Sequence, residues 1–296
     1  MAIEIDLIDS TPPRKKKPEW LKVQLPRGDD YERVKAKVNG LALNTVCKEA
    51  MCPNLAECWG AGTATIMILG EVCTRGCRFC NVKTGNPRGE VDWMEPVRVA
   101  EAVRELGWKY LVLTAVDRDD LPDGGALIFA NTVRAIHERV AGSRVEILSG
   151  DYRGDCSALD IVLDARPDVF AHNLETVRRL TPTVRDKRAK YDQSLKILAH
   201  AKARAPGRFT KTSIMLGLGE RDEEIEQTMD DARAAGVDIF TMGQYLQPTK
   251  RHLSVGTFVT PSKFAQLGEL AKSKGFHQVV SSPLSRSSYH AEQAFH

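Results

Sequence analysis

The chain has 296 residues and a formal net charge of +3, with 42% hydrophobic and 27% charged residues. This composition is ordinary for a globular protein, and the length suits one large α/β domain with extensions. The mild charge argues against nucleic-acid binding, and no apolar run approaches the ~20 residues of a membrane span. The first ten residues, MAIEIDLIDS, contain no arginine and lack the marks of a targeting peptide, so we expect a cytoplasmic protein.

The chain divides into three regions of different pattern. We expect an N-terminal extension at residues 1–62, repeated β–α units at 63–243, and a Ser-rich C-terminal extension around one helix at 244–296. Apolar runs and 3.6-residue periodicity predict, in chain order, strand 63–69, helix 96–106, strand 110–114, helix 125–140, strand 144–148, helix 156–165, strand 169–172, helix 191–203, strand 209–215, helix 222–235 and strand 239–242. Strands that alternate with helices favour a parallel sheet, so the predicted fold is α/β, a partial (β/α)6 TIM-like barrel.

Polar or Gly-rich clusters follow five of the predicted strands. They are residues 73–80, residues 114–120, Asn173 with Glu175, residues 216–220 and residues 244–246. In barrels of this kind the active site lies at the C-terminal ends of the strands. The five clusters are therefore expected to converge on one mouth.

Cysteines are concentrated in two triplets near the start of the predicted barrel. Six of the seven fall between Cys47 and Cys80, as C-x4-C-x5-C at residues 47, 52 and 58 and C-x3-C-x2-C at residues 73, 77 and 80. Thiolates this dense favour zinc or an iron–sulfur cluster. A closed zinc site needs four ligands, and no His or Cys follows Cys80 closely. Three cysteines leave one iron of a cubane cluster open to another ligand.

The second triplet resembles the signature of the radical S-adenosylmethionine (SAM) enzymes. Its residues are Cys73-Thr74-Arg75-Gly76-Cys77-Arg78-Phe79-Cys80, placed after the first barrel strand. The resemblance implies a 4Fe–4S cluster on Cys73, Cys77 and Cys80, with SAM bound at the open iron. An electron from such a cluster cleaves SAM to a 5′-deoxyadenosyl radical, which abstracts hydrogen from an unactivated carbon.

The same resemblance implies which side chains contact SAM. Gly217 and Glu220 would lie beside the adenine, unless their loop is only a turn. Asn173 and Glu175 would bond the ribose or the amino group, or alternatively cap a helix. Arg188 would pair with the SAM carboxylate, or belong to the solvated run 185–190. The complete expected set is Phe79, Thr114, Asp117, Asn173, Glu175, Arg188, Gly217, Glu220, Gln244 and Leu246.

Several further stretches resemble the lipoyl synthase family. They include the first triplet with its surroundings (residues 46–59), residues 116–125, residues 244–249, and the motif Arg286-Ser287-Ser288-Tyr289. The resemblance runs from about residue 18 to residue 291. It implies an auxiliary 4Fe–4S cluster on Cys47, Cys52 and Cys58, with a serine of the C-terminal motif as fourth ligand. We choose Ser288, although Ser287 is not excluded.

The reaction that this family resemblance implies is a sulfur transfer. Two sulfur atoms would enter at C6 and C8 of an octanoyl chain that is amide-linked to a lysine of a lipoyl carrier protein, with the auxiliary cluster as sulfur donor. The implied partners are the octanoylated lipoyl domains of 2-oxoacid dehydrogenase acyltransferase subunits and the glycine-cleavage carrier protein. Flavodoxin or ferredoxin would donate electrons, and an iron–sulfur carrier would repair the consumed cluster.

Two other functions compete with this one. A different radical sulfur-inserting or methylthiolating enzyme, such as a biotin-synthase relative, would lack the first triplet and the serine motif. A zinc-binding interaction module would use the cysteines only to bind the metal, without catalysing a reaction.

For residues outside the motifs, the sequence leaves the following expectations. His172 either reaches the mouth of the barrel or is packed and hydrogen-bonded. Trp20, Trp59, Trp93 and Trp108 are expected in the core or at a domain interface.

Overall fold

The computed structural model describes residues 16–23, 28–61 and 63–288. Tyr289 of the C-terminal motif therefore lies outside the described residues. In the described part of the chain, no helix combines the length and the apolar character needed to cross a membrane.

An eight-stranded sheet forms the centre of the fold. In sheet order its strands are β1 (Asn44–Thr45), β2 (Thr65–Ile68), β5 (Tyr110–Ala115), β6 (Arg144–Leu148), β7 (Val169–Ala171), β8 (Phe209–Leu216), β9 (Ile239–Gln244) and β10 (Gln278–Ser281). All neighbouring pairs are parallel except β1 with β2. A separate parallel pair, β3 (Val72–Cys73) with β4 (Lys83–Thr84), brackets the second cysteine triplet.

Helices cover the sheet. In chain order they are α1 (Asp29–Gly40), α2 (Val46–Glu49), α3 (Leu55–Gly60), α4 (Glu95–Leu106), α5 (Ala126–Arg139), α6 (Cys156–Leu163), α7 (Thr181–Val184), α8 (Tyr191–Arg204), α9 (Asp222–Ala234) and α10 (Pro261–Ser273). The predicted strands and helices of residues 63–243 are confirmed to within a few residues. The helices show a clear apolar period in the sequence because one face of each is buried in the core, as Val99, Val103 and Leu106 of α4 are.

The sheet extends beyond the six predicted strands. β10, which lies in the predicted C-terminal extension, pairs with β9 from Gln278 opposite Ile239 to Ser281 opposite Met242. Only four residues long and half-buried throughout, β10 has too short an apolar run to be recognised. Helix α1 in the N-terminal extension was also missed, because only Val34 and Val38 of its twelve residues are buried.

The expectation for the tryptophans is half right. Trp59 and Trp108 are buried, with 0% and 6% of their surface exposed. Trp93 and Trp20 are instead 63% and 42% exposed, so placing them in the core or at a domain interface was wrong. Residue type alone predicts burial poorly for tryptophan, since its large ring is often left partly in water.

Candidate active site

The second cysteine triplet lies on a loop fastened to several strand ends. The Thr74 N–H donates to the Asp117 carbonyl after β5 (2.9 Å), and the Arg78 N–H donates to Val184 O (2.9 Å). From the C-terminal part of the chain, the His252 ring Nε2 lies 2.9 Å from Cys80 O. The loop is therefore held from three directions at the carboxyl end of the sheet.

Backbone N–H groups point at the sulfur atoms. The Arg75 N–H donates to Cys73 Sγ at 3.4 Å, and the Asp186 N–H donates to Cys77 Sγ at 3.3 Å. Burial raises the pKa of Cys77 to about 12 and that of Cys80 to about 11. Such thiols stay protonated at neutral pH unless a metal takes their charge. N–H donors at sulfur are the environment that iron–sulfur clusters use, so this loop fits a cluster.

The first triplet has the same character. The thiols of Cys47 and Cys52 accept hydrogen bonds from the backbone of Thr65 and Asn54. Burial raises the pKa of Cys47 to about 11. Among the described residues, no group of three Cys, His, Asp or Glu side chains is arranged around a single metal ion. A cubane binds each thiolate through a different iron, so its ligands are spread more widely.

The two triplets are adjacent in space. The Asn81 side chain, directly after Cys80, donates to Glu49 O between Cys47 and Cys52 (2.9 Å). Because this part-buried hydrogen bond joins the two segments, the two cysteine loops lie side by side. The radical and auxiliary sites of the predicted reaction are thereby brought to one end of the barrel.

The C-terminal serine motif reaches the first triplet. The Asn54 side chain donates to Leu284 O at 2.8 Å, and Arg286 is close enough to Cys52 to stabilise its thiolate. A Cβ at Gly243, in β9, would lie 2.0 Å from Ser285 O, so the absence of a side chain there lets the serine segment approach the sheet. The Asn54–Leu284 bond and the Arg286–Cys52 contact bring residues more than 200 positions apart to one site.

Arg75 is the centre of a buried charge cluster beneath the second triplet. Its guanidinium, whose side chain is 2% exposed, makes two 2.9 Å bonds to Asp119 and one of 2.7 Å to Asp151. Asp117 lies 3.6 Å away. Burial raises the pKa of Asp117 to about 6, whereas for Asp151 the bonds from Arg75 outweigh burial and lower the pKa to about 2. Arg75 therefore ties the cysteine loop to the ends of β5 and β6.

This cluster was not identified from the sequence. Arg75 lies inside the signature but is not a cysteine, and Asp119 was only part of a polar run. Asp151 follows β6, the one middle strand for which no polar cluster was noted. The signal that could identify Asp151 is its place after a strand, in Ser149-Gly150-Asp151, because functional residues of such barrels follow the strands.

Several residues expected at SAM are bonded within the chain. Gln244 donates to Leu216 O, Tyr245 O and Thr257 O, and accepts from the Val259 N–H. Thr114 Oγ1 donates to Leu148 O at 3.0 Å. These bonds shape the strand ends.

The loop after β8 is held in the same way. The Glu220 carboxylate accepts the backbone N–H groups of Gly217, Leu218 and Gly219 at 2.9 to 3.2 Å. Gly217 has φ +104°, a conformation that other residues rarely adopt, so glycine is required for this turn.

Arg188 is not part of a solvated run. It bonds Asp186 (2.8 Å) and the Thr74 carbonyl (2.6 Å), and it lies 3.3 Å from Asp119. Its guanidinium therefore supports the cysteine loop and shares Asp119 with Arg75. Phe79, in the cysteine loop, and Leu246, after β9, are both half-buried.

Asn173 and Glu175 do not cap a helix. No helix begins here: β7 ends at Ala171, and the next helix begins at Thr181. Glu175 instead has φ +67° and forms an isolated parallel β-bridge with Ile214 of β8. The Asn173 amide bonds the Glu175 carboxylate, whose pKa is raised by burial. Asn173 Oδ1 is buried, and no described residue donates to it, so a polar ligand at the mouth would satisfy it.

His172 is packed and hydrogen-bonded. Its ring nitrogens lie 2.9 Å from Ser149 O and 2.8 Å from Ser194 Oγ, and only 3% of the residue is exposed. Burial, aided by the charge of Arg185, lowers the pKa of His172 to about 4. The imidazole is therefore neutral in the folded protein.

A pH dependence of stability follows from His172. Since its pKa is 6.5 when unfolded and about 4 when folded, the unfolded chain binds more protons below pH 6.5. We expect this group's contribution to be complete above pH 6.5 and to fall by about 3 kcal/mol as the pH drops toward 4. Urea unfolding of the apo-protein across this range measures it. His172→Gln should flatten the slope, and an unchanged slope would contradict the assignment.

Comparison with known proteins first shows the class of enzyme to which the chain belongs. The family model of the radical SAM superfamily matches residues 67–232. Solved structures share the fold at low identity: the FeFe-hydrogenase maturase HydG from Carboxydothermus hydrogenoformans (TM-score 0.57, 15% identity, 71% of this chain and 51% of that one) and methylornithine synthase (TM-score 0.50, 14% identity, 89% and 81%). The chain is thus a radical SAM enzyme with a partial TIM-like barrel, which uses SAM and a 4Fe–4S cluster.

The particular family follows from closer relatives. The model of the N-terminal domain of lipoyl synthase matches residues 5–52. Lipoyl synthase of Thermus thermophilus is 57% identical over 284 residues (96% of this chain, 88% of the relative), and that of Myxococcus xanthus is 56% identical over 280 residues (95% and 94%). The chain belongs to the lipoyl synthase family. It inserts sulfur at C6 and C8 of an octanoyl chain carried on a lipoyl domain, using two 4Fe–4S clusters.

Proposed function

We propose that the two cysteine triplets divide the work of this sulfurtransferase. Cys73, Cys77 and Cys80 hold the radical cluster. Cys47, Cys52 and Cys58 hold the auxiliary cluster, with Ser288 as its fourth ligand. The observation that supports the proposal is the Asn81–Glu49 bond, which joins the segments that carry the two triplets.

When bound, one cluster would supply the electron that cleaves SAM, and the other would supply sulfur. The chain's own residues orient the cluster ligands and shield the site from water. Arg75 and Arg188 fix the loop that carries the radical-cluster thiols. The C-terminal segment, held by Asn54, closes over the first triplet and limits access of water.

For SAM itself we propose a contact at Asn173 and Glu175. Both follow β7, and the unsatisfied Oδ1 of Asn173 needs a donor, which the hydroxyl and amino groups of SAM offer. Asp117, Gly217 and Leu246 follow the ends of β5, β8 and β9. Arg188 lies between α7 and α8, where it contacts the loop that carries Phe79. Thr114, Glu220 and Gln244 would act there by shaping the backbone, since their side chains are bonded within the chain.

Each region of the chain and each partner has a role in this proposed function. Residues 1–62 carry the auxiliary thiols, residues 63–243 the radical barrel, and residues 244–296 the serine ligand. The carrier proteins are lipoyl domains of 2-oxoacid dehydrogenases and of glycine cleavage. The electron donor is flavodoxin or ferredoxin, an iron–sulfur carrier rebuilds the spent cluster, and the enzyme works in the cytoplasm, where thiols stay reduced.

Anaerobic reconstitution tests the proposal. We expect about eight irons and about eight sulfides per chain. Incubation with an octanoyl-lysyl peptide, dithionite and SAM should then add two sulfur atoms to the peptide, read by mass spectrometry. Zinc occupancy without iron, or lipoyl formation by a chain that binds a single cluster, would reject it.

Asn54 offers a test of the contact between the serine motif and the first triplet. Asn54→Asp keeps the shape but removes the N–H that bonds Leu284 O, at a cost of about 1–3 kcal/mol for the unsatisfied group. We expect faster proteolysis after residue 284 and loss of up to half the iron, with SAM cleavage retained. Asn39→Asp is the matched control, because Asn39 Oδ1 is an acceptor from Lys48 and the bond survives. Unchanged proteolysis and iron content would show that Asn54 does not hold the tail.

A further inference from the structure

Four large apolar side chains are exposed at the start of helices α4 and α5. Trp93 is 63% exposed, Met94 59%, Leu127 41% and Val97 36%. We call these four residues the rim patch. In the described residues from 63 to 288, no other large apolar side chain is exposed to this degree. Exposed apolar residues gathered in one region mark interaction sites more often than scattered ones do.

The rim patch lies at the same end of the barrel as the cysteine loops. The Glu95 carboxylate, beside Met94, accepts the Leu69 N–H at the end of β2 (2.8 Å). Arg118, in the loop after β5, donates to Glu90 O at 2.7 Å. Leu127 occupies the first turn of α5, and that turn follows the same loop. All four residues are thus placed at the carboxyl ends of β2 and β5, from which the second triplet also extends.

The composition of the rim patch suits a protein partner. Tryptophan and methionine are enriched in the cores of protein–protein interfaces, whereas a solvated loop needs neither. Arg98, next to Val97, is paired with Asp92 at 2.7 Å. A partner on the patch would therefore meet this arginine with its charge already compensated.

From this placement we infer that the rim patch is the docking surface for the folded carrier domain that presents the octanoyl-lysine. The inference rests on the proposed function and extends it. An extended octanoyl-lysine spans about 16 Å from the carrier backbone, given single bonds of about 1.5 Å. An arm of that length requires the carrier to contact the rim of the mouth. The rim patch offers four exposed apolar side chains at that end of the barrel.

The test compares two substrates of different size. The holoenzyme carrying Trp93→Ser and Met94→Ser should bind an octanoylated lipoyl domain about tenfold more weakly by calorimetry, because both anchors are lost. Lipoyl formation on a short octanoyl-lysyl peptide, which cannot reach the patch, should stay unchanged. Leu127→Ser should weaken domain binding in the same direction.

The control is Glu138→Ser, at the far end of α5 from Leu127, which should leave the affinity for the carrier unchanged. Unchanged carrier affinity in the patch variants would overturn the inference. Equal loss with the peptide would also overturn it, since that result indicates damage to the active site. A change of oligomeric state by light scattering, without a change in carrier affinity, would assign the patch to a second copy instead. Failure of wild-type enzyme on the peptide would count against the proposed function alone.

Discussion

Replacing Cys73 with alanine is expected to abolish SAM cleavage, and with it all lipoyl product. Cys73 closes β3, and its carbonyl accepts the Gly85 N–H across the small β3–β4 pair, so its sulfur is fixed by backbone on both sides. No other thiol on that loop can take its place, because Cys77 and Cys80 are needed for two other irons. The measurement is 5′-deoxyadenosine by chromatography, with iron falling from about eight to about four per chain.

Cys156→Ala is the matched control for this experiment. Cys156 is the remaining cysteine, half-buried at the first position of α6 and remote in sequence from both triplets. It should retain full iron content and full SAM cleavage. If Cys73→Ala still produces deoxyadenosine at a rate near that of the control, the second triplet is not the radical site.

Replacing Cys52 with alanine is expected to separate the two halves of the reaction. SAM cleavage should continue, while lipoyl formation should fall below detection. The physical reason is that the two triplets are held by different bonds. The second depends on Arg75, Arg188 and His252, whereas the first depends on its own short helices and on Asn54. Loss of one thiol from the first triplet leaves the bonds of the second intact.

Mass spectrometry of an octanoyl-lysyl peptide after one turnover measures the outcome. Octanoyl peptide recovered without added sulfur, together with deoxyadenosine, is the expected pair of products. A lipoyl product from Cys52→Ala would show that sulfur comes from elsewhere. Loss of both activities would show that the two triplets fold as one unit, and the Cys156→Ala control would exclude a general effect of removing a thiol.

The elements of the barrel that the sequence predicted are those with a strong local period. Strand β6 was placed with its observed bounds, because its apolar run is flanked by Gly142 and Gly150, residues that break regular structure. Strand β10 and helix α1 were missed for the opposite reason. Neither buries enough apolar surface to leave a clear pattern, and each is stabilised by neighbours distant in the chain.

For the site, dense cysteines and family motifs were sufficient to identify the class and the reaction. The charge cluster around Arg75 was not predictable in the same way, because its bonds join residues 44 and 76 positions apart. The capping role considered for Asn173 and Glu175 was plausible from local sequence, yet no helix follows them. Their backbone is held by pairing with β8 instead.

The amino-acid sequence by itself determined the chemistry of this protein, because cysteine spacing specifies which groups can bind iron and a spacing is a local property of the chain. It also determined the alternation of strands and helices. Tertiary structure alone decided that the two triplets are adjacent, that the C-terminal serine segment reaches the first of them, and that four apolar side chains stay exposed at the rim. These depend on contacts between segments far apart in the chain, and such contacts form only when the whole sheet assembles.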